Sequence, residues 1–244
     1  MRLSSALVSG CRNLCRQVAD GLLPALCVGC SVRPGPDLCA QCRRHLTPLL
    51  HPCPRCGRPQ REPLNNPRSC RACRGHGWLG ISEVIVGWNY EGLLQGLITS
   101  AKASTDRPTM LTLATLMPAI EAQASIVPVP PAPGRRHGPH LATVLARHLA
   151  HHHGLPLVEA LRCRHLAAEQ HRLNAGDRRR NVEDLFVVRR PVGGTIVLVD
   201  DLLTSGATAS AAALALRRQD ADRVILAVLA RTPRSDDPKS GWRL

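Results

Sequence analysis

Thr195-Ile196-Val197-Leu198-Val199 is an aliphatic, β-branched run, and two adjacent acids, Asp200 and Asp201, follow it directly. After Leu202 and Leu203 comes a turn of small and hydroxylated residues, Thr204-Ser205-Gly206-Ala207-Thr208, and then a helix-forming run that extends to Arg218. A run without polar alternation reads as a strand covered on both faces, which belongs to a parallel sheet flanked by helices. Asp200 and Asp201 then fall at the C-terminal end of that strand, where open α/β sheets place their ligands. Small residues let backbone N–H groups approach an anion, and the N-terminus of the following helix adds partial positive charge, so a phosphate is expected at the turn. Ionised aspartates accept hydrogen bonds only, which suits a vicinal pair of hydroxyls beside that phosphate, as in ribose 5-phosphate.

The order of residues, an apolar strand, two acids, two apolar residues and Thr-Ser-Gly-Ala-Thr, resembles the phosphoribosyl pyrophosphate signature of type I phosphoribosyltransferases. That resemblance implies that Asp200 and Asp201 hold the ribose hydroxyls and that Thr204, Ser205, Gly206, Ala207 and Thr208 wrap the 5′-phosphate. A strand, an Asp turn and a capped helix with no ligand is the bland alternative.

A second feature changes the domain count. Between Cys27 and Cys73 the chain carries Cys27-x2-Cys30, Cys39-x2-Cys42, Cys53-x2-Cys56 and Cys70-x2-Cys73, set among Pro, Gly and Arg. Each pair puts two thiolates on one tight turn, and two such turns close a tetrahedral zinc site, so eight ligands imply two structural Zn²⁺ ions. Consecutive pairing is the simplest arrangement; the same eight ligands also allow a cross-braced one. A disulfide framework is disfavoured, because no export signal precedes the cysteines and Cys-x2-Cys repeats mean metal in a reducing compartment more often than bridges. With little apolar content between the turns, metal would supply most of the folding free energy, on the order of 10 kcal/mol per zinc. Four sulfurs around each ion leave no open position for catalysis.

The length of 244 residues and 44% hydrophobic content accommodate one enzyme-sized domain and a smaller module. We expect an N-terminal helix over 1–23, a zinc-binding module over 24–77, a phosphoribosyltransferase-like α/β domain over 78–232 and a disordered tail over 233–244. Cys11 and Cys15 share a face of the first helix, from which they could chelate a metal, but the preferred reading is that of small buried apolar residues. No apolar run reaches the roughly 18 residues of a membrane span, and Leu3 to Val8 leads to Arg12 without a signal-peptide region, so a cytoplasmic location is expected. The net charge of +14 favours a polyanionic partner or a phosphorylated ligand, while aromatics at 2% argue against an extended base-stacking platform.

Within the α/β domain the patterns predict a strand over Val84–Trp88 and helices over Glu91–Ala103 and Thr109–Ala122, the latter with a possible kink at Pro118. A short strand over Ser125–Pro130 follows, then a basic loop with Arg135 and Arg136 and a helix from about Pro139 to His152. His151, His152 and His153 point about 100° apart on a helix and read as a solvated end. Leu155–Leu161 is expected to add a strand or a strand-like connection, and Val224–Ala230 closes the sheet. Arg178, Arg179 and Arg180 read equally as a solvated basic turn or as phosphate ligands.

The cysteine module, Tyr90-Glu91-Gly92, the Val127-Pro128-Val129-Pro130 strand, the Arg-Arg-Asn segment at Arg179-Arg180-Asn181 and the phosphate turn, taken in order, resemble the ComF family across nearly the whole chain. The resemblance implies a type I phosphoribosyltransferase fold with an N-terminal zinc finger, an association with single-stranded DNA uptake in natural competence, and Mg²⁺ bound with phosphoribosyl pyrophosphate. It adds Lys102 and Arg180 to the expected phosphoribosyl pyrophosphate ligands, with Gln170, Leu173 and Asn181 fitting the same segment. The chain departs from the family after Pro130: relatives usually carry Arg-Gly-Phe-Asn-Gln, whereas here the segment is a shortened His137-Gly138-Pro139-His140-Leu141. Thr204 stands where purine-salvage relatives carry an Asp thought to act as base, and a threonine hydroxyl is a poor proton acceptor near neutral pH. Two functions follow as expectations: phosphoribosyl transfer to an unidentified acceptor, or a non-catalytic competence factor that binds single-stranded DNA or a competence helicase and keeps the phosphate pocket for a regulatory ligand.

Overall fold

The computed structural model describes residues 26–35, 37–64, 70–73, 78–132, 138–164 and 185–238. The expected N-terminal helix with Cys11 and Cys15, the Arg135-Arg136 loop, the Gln170 to Asn181 segment including Arg180, and residues 239–244 lie outside them.

Four aliphatic runs form one parallel sheet from β1 (Glu83–Asn89), β2 (Ser125–Pro128), β5 (Gly194–Leu203) and β6 (Ala221–Arg231), in the order β1-β6-β5-β2. A separate antiparallel pair, β3 (Leu161–Cys163) and β4 (Phe186–Val188), stands between β2 and β5 in the chain. Parallel neighbours need crossovers, and helices α2 (Gly92–Ser104), α3 (Arg107–Ala114), α4 (Leu141–His153) and α5 (Ala207–Arg217) supply them; a short α1 (Ala40–Arg44) lies in the cysteine module. No helix among the described residues is long and apolar enough to cross a membrane.

Side-chain alternation divides the core into two layers. Val197 and Val199 of β5, with Ile225, Ala227 and Leu229 of β6, pack against α2, α3, α4 and the first cysteine turns. Ile196, Leu198, Val224, Leu226 and Val228 face the other way, onto the alanines of α5 and the β3–β4 pair. β5 is covered on both sides, as its unbroken apolar run requires.

Element ends differ from the sequence expectation for identifiable reasons. The Asp106 carboxylate accepts from the N–H of Thr109 at 3.1 Å and Pro108 sits in the first turn, so α3 starts two residues before Thr109. It stops at Ala114 rather than Ala122: the Thr115 hydroxyl donates to the Thr112 carbonyl, and Pro118 has no N–H with which to continue the ladder. Leu155–Leu161 forms the strand-like connection of the two, with the Ile126 N–H on the Pro156 carbonyl and the Val158 N–H on the Ile126 carbonyl, both at 2.8 Å. It touches the sheet through the single parallel bridge of Leu157 with Ile126, and only Leu161 enters a strand, β3.

The expected tail is also shorter than 233–244. Arg231 ends β6 almost fully buried, with 4% of its side chain exposed, and Asp237 folds back to pair with it at 2.5 Å. Arg58, from the cysteine module, reaches Asp237 at 3.3 Å and Asp236 at 2.9 Å, which fastens the segment after β6 to that module. Periodicity cannot reveal this turn, since its order comes from charges far apart in the chain. Truncating one partner of a buried pair leaves the other uncompensated, so Asp237→Ala is expected to lower unfolding free energy by about 3 kcal/mol. A denaturant midpoint matching that of the wild type, at equal m-value, would show that the pair does not hold the segment.

Candidate phosphate and metal sites

β5 runs through both acids and ends at Leu203, one residue before the turn. Gly206 adopts φ +72°, a left-handed conformation that favours glycine, and serves as the N-cap of α5, while the Ser205 hydroxyl accepts from the Ala207 N–H at 3.5 Å. Ser210 donates its N–H to the Gly206 carbonyl at 2.8 Å, so helical bonding begins at once. Thr204, Ser205, Ala207 and Thr208 are exposed at the surface of the turn. Asp200 lines one small pocket together with Thr204, Ser205, Gly206, Ala207 and Thr208, floored by Leu226 and Val228.

The two acids separate according to strand alternation. Asp200 joins the turn, whereas Asp201 is buried and pairs with the Lys102 ammonium from the last turn of α2. The structure therefore brings together every expected ligand of the turn, and brings Lys102 to Asp201. Burial, and next the Asp201 charge, push the Asp200 carboxyl up to about 7, against the N–H of Asp201 bonded to its Oδ1 at 2.8 Å and the charge of Lys102. An acid in this state favours a proton, a cation or hydroxyl donors.

The cysteines gather as two quartets, Cys27/Cys30/Cys39/Cys42 and Cys53/Cys56/Cys70/Cys73, with all ligand atoms of each within 4.8 Å of one another. This is the consecutive pairing. In the second quartet the sulfurs of Cys53 and Cys73 stand 3.8 Å apart, with Cys56 to Cys70 and Cys70 to Cys73 both at 3.7 Å. A tetrahedron with Zn–S bonds of about 2.3 Å has edges of about 3.8 Å, so these sulfurs already stand at the spacing of a zinc shell. Backbone N–H groups point at the sulfurs, Cys39 N to Cys27 Sγ at 3.2 Å and Cys70 N to Cys53 Sγ at 3.2 Å.

The thiols share their protons unevenly. Burial works to raise Cys27, but the N–H groups of Cys39, Cys30 and Gly29 bring it down to about 6, while burial and the neighbouring sulfurs push Cys42 up to about 12. In the second quartet a hydrogen bond from Cys56 brings Cys53 down to about 4, and the same bond pushes Cys56 up. A divalent, sulfur-seeking ion would let all four thiols ionise, so both quartets could hold zinc.

Sequence reasoning missed Trp78, which it treated only as the boundary after the cysteines. A Cβ built on Gly206 would overlap the six-membered ring of Trp78, so the indole rests directly on the turn. The available signal was its placement: one of three tryptophans in a chain with 2% aromatics, five residues after the last ligand cysteine.

A family model described as the phosphoribosyl transferase domain matches residues 136–243. With the parallel sheet flanked by helices, this makes the C-terminal part a phosphoribosyltransferase-type domain. Among solved structures, the allosteric regulatory enzyme of purine biosynthesis is similar at 20% identity and TM-score 0.33 over 49% of this chain, which spans only 24% of that protein. A protein of Thermus thermophilus is similar at 15% identity and TM-score 0.29, over 53% of this chain and 84% of that one. No curated protein matches the chain.

Two measurements bear on the sites. Elemental analysis of protein purified under reducing, metal-replete conditions is expected to find two zinc equivalents, reduced to one in Cys70→Ser/Cys73→Ser; a count of zero, or no change in the variant, would contradict the quartets as the sites. Asp200 has a folded pKa of about 7, raised above the ordinary value of about 3.9, so the fold loses stability as pH rises through that interval. Asp200→Asn removes that loss. Its melting temperature should match the wild type near pH 4 and exceed it increasingly up to about pH 8, whereas a difference independent of pH would contradict the raised carboxyl.

Proposed function

We propose that the protein binds phosphoribosyl pyrophosphate with Mg²⁺ at Asp200, Asp201 and the Thr204 to Thr208 turn, as a phosphoribosyltransferase-like protein similar to the ComF family. The observation that carries this reading is the left-handed Gly206 at the N-terminus of α5, in one pocket with Asp200. The 5′-phosphate would take N–H groups of the turn, and Asp200 would accept from the ribose hydroxyls once it has lost its proton. Asp200 is the acid that faces the turn, where a divalent ion would meet it, while the charge of Asp201 is balanced by Lys102. When bound, Mg²⁺ would neutralise the pyrophosphate as it leaves. Lys102 would hold Asp201 in place, and Arg180 extends the expected ligand set by resemblance.

Transfer would break the bond between ribose C1 and pyrophosphate and form one to an acceptor. Thr204 at the usual base position leaves that step to positioning and to charge stabilisation, not to proton abstraction by the turn. A second reading, a binding factor in the cytoplasm for single-stranded DNA or a competence helicase, draws support from the net charge of +14 and from the shortened segment His137 to Leu141.

Calorimetric titration with phosphoribosyl pyrophosphate and Mg²⁺ separates the two. Saturable binding is expected, weakened in Asp200→Ala by about 1.5–3 kcal/mol for each charged hydrogen bond lost. Gly206→Val should weaken it as well, since a side chain there meets Trp78. No binding by wild type, with salt-dependent binding of an oligonucleotide instead, would favour the second reading.

A further inference from the structure

The second cysteine module lies against Leu203, the residue before the Thr204 to Thr208 turn, and Trp78, five residues after its last ligand, covers Gly206 within that turn. Gly57, in the Cys53–Cys56 knuckle, adopts φ +70°, and a Cβ there would stand 3.2 Å from the Leu203 side chain and 3.1 Å from that of Val84. Leu203 is the residue that feeds the turn. The same knuckle is pinned to β1 by the Val84 N–H bonded to the Pro54 carbonyl at 2.7 Å, and Arg55 donates to the Ile81 carbonyl at 2.5 Å. Beyond the last ligand, Trp78 covers Gly206, and Gly80 lies so close to α5 that a Cβ would stand 3.0 Å from the backbone nitrogen of Leu214. The Trp78 to Ile81 turn, closed by the Ile81 N–H on the Trp78 carbonyl at 3.2 Å, is thus fixed between the quartet and the helix that begins at the phosphate site.

Among the described residues the buried cluster of the quartet consists of Cys53, Cys70 and Cys73, with Cys56 and Leu64 packed beside them, whereas Cys27 and Cys42 of the first quartet belong to the main core. Trp78 rests on the second core layer beside Ile81 and the alanines of α5, and what ties that turn to the quartet is the Arg55 bond to the Ile81 carbonyl, whose own knuckle has little apolar burial to fix it without a metal joining the sulfurs.

The geometry points to Trp78 as a positioning residue that couples the second cysteine quartet to the Thr204 to Thr208 turn, so that metal in the quartet holds the turn in its anion-accepting shape. The indole acts by contact. Its Nε1 is buried with no acceptor among the described residues, so a phenylalanine would keep the stacked surface and lose no hydrogen bond found there. Coupling between sites is reciprocal, so a ligand that orders the turn must also tighten metal in the second quartet. The functional consequence rests on the phosphoribosyl pyrophosphate reading above; the mechanical link does not.

Amide hydrogen exchange on the full chain tests the link without ligand. The probe is the Ser210 N–H, held by the Gly206 carbonyl, with the β6 amides from Val224 to Val228 as internal reference. In Trp78→Ala, Ser210 should exchange about tenfold faster relative to β6, within the usual range of coupling between sites. Cys70→Ser/Cys73→Ser should do the same, Trp78→Phe should stay near wild type, and the combination of Trp78→Ala with the cysteine changes should be no faster than either alone. Unchanged exchange in Trp78→Ala, additive effects in the combination, or acceleration of β6 equal to that of Ser210 would overturn the coupling. Titration of the same proteins with phosphoribosyl pyrophosphate and Mg²⁺ keeps the two ideas apart. Absence of binding by wild type removes the ligand reading and leaves the exchange result standing, while binding with unaltered exchange removes the link alone.

Discussion

Burial of β5 on both faces is the constraint on which the rest of this structure depends. A strand with Ile196, Val197, Leu198 and Val199 all inaccessible can expose polar groups only where it leaves the sheet, so its acids have to lie at the C-terminal end. The same burial draws helices to both sides: α2 brings Lys102 to Asp201 on one, and α5 brings its N-terminus beside Asp200 on the other. The alanine-rich face of α5, Ala209, Ala211, Ala212 and Ala213, lets that helix lie close to the sheet. Packing and chemistry therefore share one origin. The carboxyl of Asp200 is held in a state unfavourable to its charge, and a fold maintains such a group only because the hydrophobic layers around it outweigh the cost.

What could be read in advance was what is local in the chain. The strand, the acids, the turn and the helix lie within about two dozen consecutive residues, and each Cys-x2-Cys is a unit of four, so both the strand–turn–helix order around Thr204 to Thr208 and the consecutive pairing of quartets are legible. Period-two alternation also contains the separation of Asp200 from Asp201. The segment from Leu155 to Leu161 leaves a strand and a strand-like connection both open in the sequence, because an apolar run at a sheet edge looks the same whether it pairs along its length or at one residue.

Illegible features are those whose partners are remote. Arg58 and Asp236 stand 178 residues apart, and neither carries a pattern that names the other. Trp78 reads as an ordinary aromatic until Gly206 is placed beneath it. Gly206 itself illustrates two separate demands at one position: its backbone angle excludes most side chains, and the ring above it excludes the remainder. Only the first of these belongs to the turn as a motif.

The clasp between Arg58 and the residues after β6 bears on the order in which the chain can be assembled. During synthesis the cysteine turns emerge first and can take up metal early, but Asp236 and Asp237 follow only after the whole sheet has been made. Until they leave the ribosome, Arg58 has no carboxylate from that segment and Arg231 cannot be buried with its charge neutralised. Final seating of the second module against the sheet thus waits for the last strand to be passed, and a chain broken off before Asp236 would carry finished metal knuckles on a domain that had not yet closed.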